Sequence, residues 1–370
     1  MKKSRLLYVV DDWSVNSGPN CQLRQLIDWV PKDEFEIQVV SFGKPQQHND
    51  LQPAGTRLSC IDANNTVVTR LLKLREIFHD FAPDIIHAWG YPVHLPVACC
   101  HYKNAQLAKT KLIYSYFGAP PRRLMVRRWF EEYTSRQAVI TVAHQCIGQR
   151  LVEDGMDNPY QIVPNAFVQT ESDKKSARQR LMDLAGLSDR NIFLAGTVSA
   201  NEPRHRLKDQ IWAADVIFCV RPDVHLLIVG YGSGQKALQH FLGKTEATGQ
   251  VHFVNASEFS VADLAGLDAY WNSQLIDANP IMMLTAMSMN VPAISVLSDA
   301  TADVILPMRS GFGTTFGARD EFARWTKYLI EQRRSDQIAA QGREHVEKNF
   351  PVQLMVDGYM EIYQPTNLSK

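Results

Sequence analysis

The amino-acid sequence predicts an α/β protein with two doubly wound domains that face each other across a cleft. The first observation is length, since 370 residues suffice for two domains of about 150 residues each. The second is an alternation of short β-branched runs with amphipathic stretches, which favours parallel sheets covered by helices. The third is a composition of 45% apolar and 21% charged residues, which is typical of soluble globular proteins and excludes extensive disorder.

The first half of the chain contains apolar runs that we interpret as buried strands. They are LLYVV (6–10), IQVVSF (37–42), RLSCI (57–61), DIIHAW (84–89), KLIYSYF (111–117) and AVITVA (138–143). Helical patterns lie between most of these runs, at 19–30, 66–81, 92–105 and 122–136. This alternation predicts a parallel sheet with helices on both faces.

The second half restarts the same alternation. Its predicted strands are NIFLAGTV (191–198), HLLIVG (225–230), QVHFV (250–254), LDAYW (267–271) and VPAISVL (291–297). The polar stretch 164–178 breaks the pattern and is predicted to be the interdomain linker. After residue 297 the pattern is mostly helical, and it ends in a long helix near 336–364. In such sheets ligands bind at the carboxyl ends of the strands, where loops enter helix N-termini.

Charge and targeting signals narrow the function classes. The 39 Lys and Arg residues balance the 39 Asp and Glu residues, so no global charge attracts nucleic acid. The apolar run from Leu6 to Val10 is shorter than the roughly 7–15 apolar residues of a signal peptide, and no stretch approaches the roughly 18 of a membrane span. The six cysteines include no C-x-x-C pair, so we interpret them as reduced thiols. The sequence therefore predicts a cytoplasmic protein without a nucleic-acid partner.

A glycine-rich turn, Gly230 to Gly234, follows the predicted strand 225–230. It lacks the G-x-G-x-x-G spacing of a dinucleotide site because Gln235 occupies the last position, and Asn255 stands where the acidic residue is expected. NAD binding is therefore disfavoured. Two interpretations remain, a tight turn or a loop that lets a phosphate or sugar approach the backbone. The sequence also lacks a D-x-D pair and zinc-ligand spacing, so no metal or other cofactor is predicted.

The start of a predicted helix after the strand 267–271 is a candidate anion site. Asn279 suits the N-cap, Pro280 the first helical position, and Asn290 the left-handed C-terminal position. Backbone amides at this helix start, around Ile281, carry partial positive charge and can bind an anion without a metal ion. The alternative is a purely structural helix start.

A basic loop leaves the strand 191–198 and enters the next helix. Its residues Arg204, Arg206 and Lys208 could neutralise a diphosphate, because arginine binds two oxygens and lysine acts as a point charge. A solvated loop is the alternative. This loop and the helix start together are stronger evidence for an anion site than either alone.

The order of these features resembles the retaining, nucleotide-sugar-dependent glycosyltransferases of family 4, the group 1 type, which have the GT-B fold. In the second half the series is GTVSAN, RLKDQ, LLIVGYGSG, QVHFV, a D-x7-T segment with AMSMNVPAIS, and GREHVEKNF. In the first half it is LLYVVDD, SGPNCQL, APDIIHAWG, AVITVAH and YQIVPNAF. The resemblance implies two Rossmann-like domains facing across a cleft, with a C-terminal helix that crosses back to the first domain.

The resemblance also implies domain roles and an activity. Residues 1–168, with the C-terminal helix at about 350–370, would form the acceptor-side domain, and residues 169–349 the donor-binding domain. The implied reaction moves a sugar from a nucleotide-sugar donor to an acceptor hydroxyl with retention and without a metal ion. The implied acceptor is a glycan or a lipid-linked molecule, in the synthesis of a cell envelope polysaccharide or glycolipid.

Donor contacts in the basic loop follow from the resemblance residue by residue. Lys208 matches the family's lysine that contacts the donor diphosphate, and it is one of two predicted catalytic residues. The family's nearby arginine falls close to Thr197, so Arg204 or Arg206 could substitute from the longer loop.

Further matches concern the sugar, the ribose and the first domain. Asp277 falls where the first glutamate of the family's E-x7-E pair contacts the transferred sugar, and it is the second predicted catalytic residue. Thr285 falls where the second glutamate binds the ribose. Gly230 and Gly232 match the glycine turn near the donor. Gly18 matches a first-domain glycine loop near the acceptor and the donor phosphates.

The chain departs from the family pattern at four positions, one of which is Asn272 in place of the usual proline before Ser273. Asp277 is one methylene shorter than glutamate. Thr285 removes a charged acceptor of ribose hydrogen bonds, each worth about 1.5–3 kcal/mol. Phe117 replaces a histidine. These departures keep two alternatives open: a non-catalytic relative that acts as a binding or scaffold partner, and another enzyme on the same fold, such as a nucleotide-sugar epimerase.

Acceptor-side candidates lie in the first half. Residues 120–130 read PPRRLMVRRWF, and Arg122 and Arg123 begin a basic amphipathic segment with aromatic residues. Such a segment can lie on an anionic membrane surface, grip an anionic lipid-linked acceptor, or simply solvate one face of a packed helix. His87 is expected to face the cleft on the acceptor side, and a satisfied structural histidine is the alternative.

Overall fold

The protein consists of two compact units. The first unit comprises Met1–Val15, Pro19–Asn165 and Val352–Lys370, and the second comprises Asn16–Gly18 and Ala166–Pro351. The computed structural model describes residues 3–13, 18–43, 53–62, 64–102, 104–118, 133, 136, 138–156, 158–189, 191–231, 234–274, 280–332 and 335–364.

The first unit is built on a parallel sheet with the strand order β3-β2-β1-β4-β5-β6-β7. Its strands are β1 (Ser4–Val10), β2 (Phe35–Ser41), β3 (Thr56–Cys60), β4 (Ile85–Trp89), β5 (Lys111–Tyr116), β6 (Ala138–Val142) and β7 (Tyr160–Ile162). The helices between them are α1 (Gly18–Trp29), α2 (Val67–Phe81), α3 (His94–His101) and α4 (Gln145–Glu153). Residues Leu6 to Val10 of β1 are each at most 1% exposed, which explains their uninterrupted apolar run.

The second unit is built on a parallel sheet with the strand order β10-β9-β8-β11-β12-β13. In chain order its elements are α5 (Lys174–Ala185), β8 (Phe193–Ala200), α6 (Leu207–Phe218), β9 (Val224–Tyr231), α7 (Gln235–Leu242), β10 (Val251–Asn255), β11 (Ala269–Asn272), α8 (Ile281–Ser288), β12 (Ala293–Val296), β13 (Gly311–Thr314), α9 (Arg319–Glu331) and α10 (Ser335–Asn349). A final helix, α11 (Val352–Tyr363), belongs to the first unit. The predicted fold class, two doubly wound Rossmann-like sheets with a C-terminal helix that returns to the first, is confirmed.

Two predictions for the end of the chain were wrong. The helix expected near 336–364 is two helices, because Pro351 lacks a backbone N–H and disfavours helical geometry in the residue before it. Residues 311–314, predicted to lie in a helical region, form β13 and pair with β12.

The segment predicted as a linker is partly helical. α5 begins at Lys174, inside the predicted linker 164–178, because Asp173 caps the helix. The Asp173 carboxylate accepts a hydrogen bond from the backbone N–H of Ser176 at 2.8 Å. Such an N-cap satisfies an amide that the helix itself leaves unpaired.

Helix α11 is joined to the sheet of the first unit by a buried chain of polar groups. The hydroxyl of Tyr363 lies 2.7 Å from Nδ1 of His87 on β4 and 3.0 Å from the hydroxyl of Tyr8 on β1. On the other side of the ring, Nε2 of His87 lies 2.6 Å from Oγ of Ser115 on β5. In either tautomer one ring nitrogen donates and the other accepts, so both nitrogens are satisfied.

Ser115 extends this chain to a second residue of α11. Its Oγ lies 2.6 Å from Oγ1 of Thr141 on β6 and 3.2 Å from the hydroxyl of Tyr359. This series of buried hydrogen bonds therefore crosses four neighbouring strands and contacts α11 twice. Because every member is buried, removing one partner leaves an unsatisfied polar group, which costs about 1–3 kcal/mol.

His87, the histidine in this series of buried hydrogen bonds, makes the stability of the protein depend on pH. Burial, with a smaller effect of His94, lowers the pKa of His87 from 6.5 to about 3. Between these values His87 is neutral when folded and protonated when unfolded, so stability is lost as pH falls below 6.5, by about 1.4 kcal/mol per pH unit. Between pH 6.5 and 5, the free energy of unfolding of His87→Gln should fall by about 1.5 kcal/mol less than that of wild type. Urea unfolding at the two pH values measures this difference.

The matched control is His79→Gln, since the His79 side chain on α2 is 68% exposed. This variant should keep the wild-type pH dependence. If the free energy of unfolding changed equally with pH in wild type and His87→Gln, His87 would not be the source of the pH dependence.

Candidate functional site

The carboxyl ends of β8 and β11 form the central part of the candidate site. These two strands are neighbours in the second sheet. The strands that follow β8 in sequence, β9 and β10, lie on one side of this pair, and those that follow β11, β12 and β13, lie on the other. Their pairing aligns Ala195 with Ala269 and Gly196 with Tyr270. Connections from such strands leave on opposite faces, which opens a crevice at the carboxyl edge where doubly wound proteins bind ligands.

A buried asparagine lies directly after β8. Asn201 is only 3% exposed, and neither polar atom of its side-chain amide has a hydrogen-bond partner in the described part of the chain. Buried amides are normally satisfied, so an unpaired one at the carboxyl edge indicates a place for a ligand group. Beside it, Nε2 of Gln274 donates to Oγ of Ser199 at 3.1 Å, which fixes the residues after β11 to the end of β8.

Two glycines, one at the end of β9 and one after it, make room for Asn201. A Cβ on Gly230 would lie 2.4 Å from Oδ1 of Asn201, and a Cβ on Gly234 would lie 1.5 Å from its backbone carbonyl oxygen. Side chains at either position would displace the asparagine. The group that approaches these glycines in the structure is Asn201, and the approach of a ligand phosphate or sugar stays a prediction. Gly232 lies outside the described residues.

The basic loop between β8 and α6 is held by a buried carboxylate. Asp209 accepts from Nε of Arg206 at 2.5 Å and from Nε of Arg319 at 2.7 Å, and it is 6% exposed. The Arg206 guanidinium also lies 4.4 Å from the ring centre of Phe316. Arg206, predicted to meet a diphosphate, is therefore held in an ion pair within the protein, and it shares the single charge of Asp209 with Arg319.

The same loop is clamped to the end of β11. Oγ of Ser273 donates to the carbonyl oxygen of His205 at 2.8 Å, and Nε2 of Gln210 donates to Oγ of Ser273 at 2.9 Å. Gln210 and Ser273 are both buried, which makes these bonds structural. They fix the backbone that carries Arg204, whose side chain is outside the described part of the structure.

Lys208, one of the basic residues predicted to bind the diphosphate, is exposed and can contact a ligand. It is exposed in the first turn of α6, and its ammonium lies 5.3 Å from the ring centre of Phe241. Among the described carboxylates none forms a salt bridge with it. Its cation can therefore meet an added anion without first breaking an ion pair.

The helix after β11 begins one residue later than predicted. Pro280 is the N-cap of α8 without a side-chain capping bond, and Ile281, the first helical residue, is fully buried. At the other end Asn290 adopts φ 60°, which confirms its left-handed conformation. Asn279 and Asp277 precede the described part of this segment.

The position of Thr285 corrects the ribose contact expected for it. Thr285 is 0% exposed. Its hydroxyl donates to the carbonyl oxygen of Ile281 at 2.7 Å and accepts from the backbone N–H of Val168 at 2.9 Å. The hydroxyl therefore ties α8 to the segment that enters the second unit, and the described geometry favours this structural role over a ribose contact.

The acceptor-side candidates are only partly described. Gly18 begins α1. His87, expected to face a cleft, is completely buried with both ring nitrogens bonded, which corrects that expectation in favour of the structural alternative. Arg122, Arg123 and the rest of 120–130 lie outside the described residues.

Asn201, Gln274 and Asp209 are site residues that sequence reasoning missed. A polar residue directly after a buried strand at the point of strand reversal is a usable signal, and Asn201 fits it. Asp209 gave no such signal, because its second partner, Arg319, is 110 residues away.

The family comparison concerns the second unit. Residues 187–345 match the family Glycosyl transferases group 1. No curated protein sequence matches the chain significantly. Residues 187–345 of the second unit therefore carry a group 1 glycosyltransferase domain, and the protein is a glycosyltransferase.

Solved structures resemble the chain along nearly its whole length. HepE of Anabaena, solved with UDP and glucose, is 16% identical with a TM-score of 0.80, over 96% of this chain and 98% of that one. Sucrose-phosphate synthase of Thermosynechococcus elongatus is 14% identical with a TM-score of 0.76, over 97% and 98%. TarM of S. aureus, solved with UDP, alpha-GlcNAc-glycerol and fondaparinux, is 8% identical with a TM-score of 0.76, over 98% and 100%. At these identities the likeness establishes the GT-B fold.

Among the described helices, none combines the length and the apolar character that a membrane span requires.

The packing around Asn201 predicts how a glycine substitution acts. Gly234→Ala should destabilise the protein by about 1–3 kcal/mol, because the new methyl group overlaps a backbone oxygen. Thermal unfolding measures this loss. Gly249→Ala is the control, since no atom lies within 4 Å of a Cβ there. Equal melting temperatures for the two variants would refute the packing described.

Proposed function

We propose that the protein transfers a sugar from a uridine diphosphate sugar to an acceptor hydroxyl with retention of the anomeric configuration. The observation that carries this proposal is the unpaired, buried amide of Asn201, packed under a glycine turn at the carboxyl edge of the glycosyltransferase domain. Solved structures of the same fold with bound UDP support uridine as the nucleotide.

The donor diphosphate is proposed to bind at the carboxyl edge between β8 and α8. Lys208, with its unpaired and exposed ammonium, contacts a phosphate, and Arg204 assists from the same loop. The amides at the start of α8 face the other phosphate oxygens, because a helix N-terminus attracts anions. Asn201 offers its N–H to the sugar or the phosphates and its carbonyl oxygen to a sugar hydroxyl. Arg206 supports this loop through Asp209 and does not itself bind the donor.

The proposed catalysis is electrostatic. Negative charge builds on the diphosphate as the bond to the sugar breaks, and Lys208 and the α8 amides stabilise it. Asp277 is proposed to contact the transferred sugar, as the family resemblance implies. The proposal includes no metal ion and no other cofactor.

The acceptor is proposed to be a glycan or a lipid-linked glycan, in the synthesis of a cell envelope polysaccharide or glycolipid. Two observations support this: the basic amphipathic sequence 120–130, which includes Arg122 and Arg123, and the glycan ligands of TarM. Gly18 is proposed to lie near the acceptor and the donor phosphates. The protein would work in the cytoplasm, with peripheral membrane contact through 120–130.

Nucleotide binding is the first test. We expect UDP, and not GDP or ADP, to raise the melting temperature, since a ligand at about 100 times its Kd stabilises by about 2.7 kcal/mol. Lys208→Ala should weaken UDP binding about 10–100-fold, because a charged hydrogen bond is worth about 1.5–3 kcal/mol. Asn201→Ala should weaken it as well.

Lys348→Ala is the matched control for Lys208→Ala, since Lys348 is exposed in the last turn of α10. It should bind UDP like wild type. A UDP shift that survives in Lys208→Ala would remove that residue from the site, and a shift with GDP or ADP alone would replace uridine as the nucleotide.

The stereochemical course is the second test. With a UDP-α-sugar and a glycan acceptor, proton NMR of the first product should show an α linkage, and chelation of metal ions by EDTA should leave the rate unchanged. A β-linked first product would exclude retention. Loss of activity in EDTA, restored by Mg²⁺, would exclude the metal-free mechanism.

A further inference from the structure

Two histidines lie side by side on neighbouring strands of the second sheet, at a distance from the candidate site. His225 is near the start of β9, and His252 is near the start of β10. His252 pairs with Leu227, so both histidines lie on the same face of the sheet, two residues apart in register. Donor-site residues such as Gly230 belong to the opposite, carboxyl ends of these strands.

The contact between the two imidazoles is close. Nδ1 of His225 lies 2.9 Å from Nε2 of His252, and the ring planes are inclined by 20°. Two nitrogen lone pairs repel each other at this distance, so a hydrogen or a cation has to lie between them. In the absence of a cation, a single N–H···N bond satisfies the pair.

The surroundings of the two imidazoles disfavour their protonated forms. Burial, with a smaller effect of His225, lowers the pKa of His252 to about 4. Burial also lowers the pKa of His225, and the nearby charges of Asp189, Asp223 and Arg178 have smaller effects. Neutral imidazole is the form that binds metal ions, so little proton competition remains at neutral pH.

We propose that His225 and His252 form a binding site for one divalent transition-metal ion of the Zn²⁺ or Cu²⁺ type. Nitrogen ligands lie about 2.0–2.1 Å from such an ion, so two of them are about 2.9 Å apart at the 90° angle of a tetragonal Cu²⁺ site and about 3.3 Å apart at the tetrahedral angle of Zn²⁺. The observed 2.9 Å matches the tetragonal value. Each ring has to turn about its Cβ–Cγ bond to aim its lone pair at a common point, and this torsion is soft in histidine.

Water completes the coordination of the ion. Asp223 accepts two hydrogen bonds from Arg221, at 2.8 and 2.6 Å, so its carboxylate is already engaged. Within the described residues no group of three or more metal-ligating side chains occurs, so these residues supply the two imidazoles as ligands. Two imidazoles predict binding in the micromolar range and a preference for Cu²⁺ over Zn²⁺, following the general order of affinities.

The consequence of binding is a link across the edge of the sheet. β10 is an edge strand and is bonded on one side only, to β9. An ion held by both strands stabilises the folded second unit, because the two imidazoles come together only in the native state. This site is independent of the donor site and of the proposed transfer reaction.

Metal titration of the full-length, untagged chain tests the site. We expect one equivalent of Cu²⁺ to give an electron paramagnetic resonance spectrum with coupling to two imidazole nitrogens. We also expect Zn²⁺ at 1 mM to raise the melting temperature of wild type by about 3 °C. His225→Gln and His252→Gln should each weaken Cu²⁺ binding at least 10-fold and abolish the Zn²⁺ shift.

The matched control is His79→Gln, which removes an exposed histidine of the first unit and should bind both ions like wild type. A Cu²⁺ electron paramagnetic resonance spectrum of wild type with coupling to fewer than two nitrogens would overturn the proposal by itself, whatever the variants show. Retention of the Zn²⁺ shift in the double variant His225→Gln/His252→Gln would overturn it as well. UDP binding should be unchanged in the double variant, which separates this site from the donor site.

Discussion

Each sheet reverses its strand order between two adjacent central strands, β1 and β4 in the first unit and β8 and β11 in the second. In the second unit this reversal brings the residues after β8, β9 and β11 to one edge, although they are far apart in sequence. Asn201 can pack against Gly230 and beside Gln274 only because these strands are neighbours. The loop that carries Lys208 and the start of α8 emerge at the same edge, so the chemistry of the site depends on the topology.

Much of the fold could be predicted from the sequence, because buried central strands have an unmistakable composition. The run Leu6–Val10 is apolar throughout, since both faces of β1 are covered. β13 was missed because its sequence GFGT contains two glycines, and its strand conformation comes from pairing with β12. The break at Pro351 was readable in principle, but the helical periodicity on both sides obscured it.

The site was less predictable, because its properties depend on contacts between distant residues. Sequence reasoning identified Lys208, Arg206 and Thr285 by type and spacing. It could not show that Arg206 is paired with Asp209 or that the Thr285 hydroxyl is bonded to Val168, which lies 117 residues earlier. A single sequence carries residue types and local spacing, whereas availability for a ligand depends on such partners. Asn201 differs because its amide has no hydrogen-bond partner among the described residues, and Lys208 because its ammonium contacts an aromatic ring and none of the described carboxylates.

Helix α11 has a consequence for the synthesis of the chain. Tyr359 and Tyr363 complete the buried polar chain of the first unit, yet they are translated after the entire second unit. The ribosome therefore releases β1 to β7 well before the helix that satisfies His87 and Ser115. In most multidomain proteins the N-terminal domain folds first during synthesis. Here the whole second unit is synthesised before the residues that complete the buried polar network of the first unit.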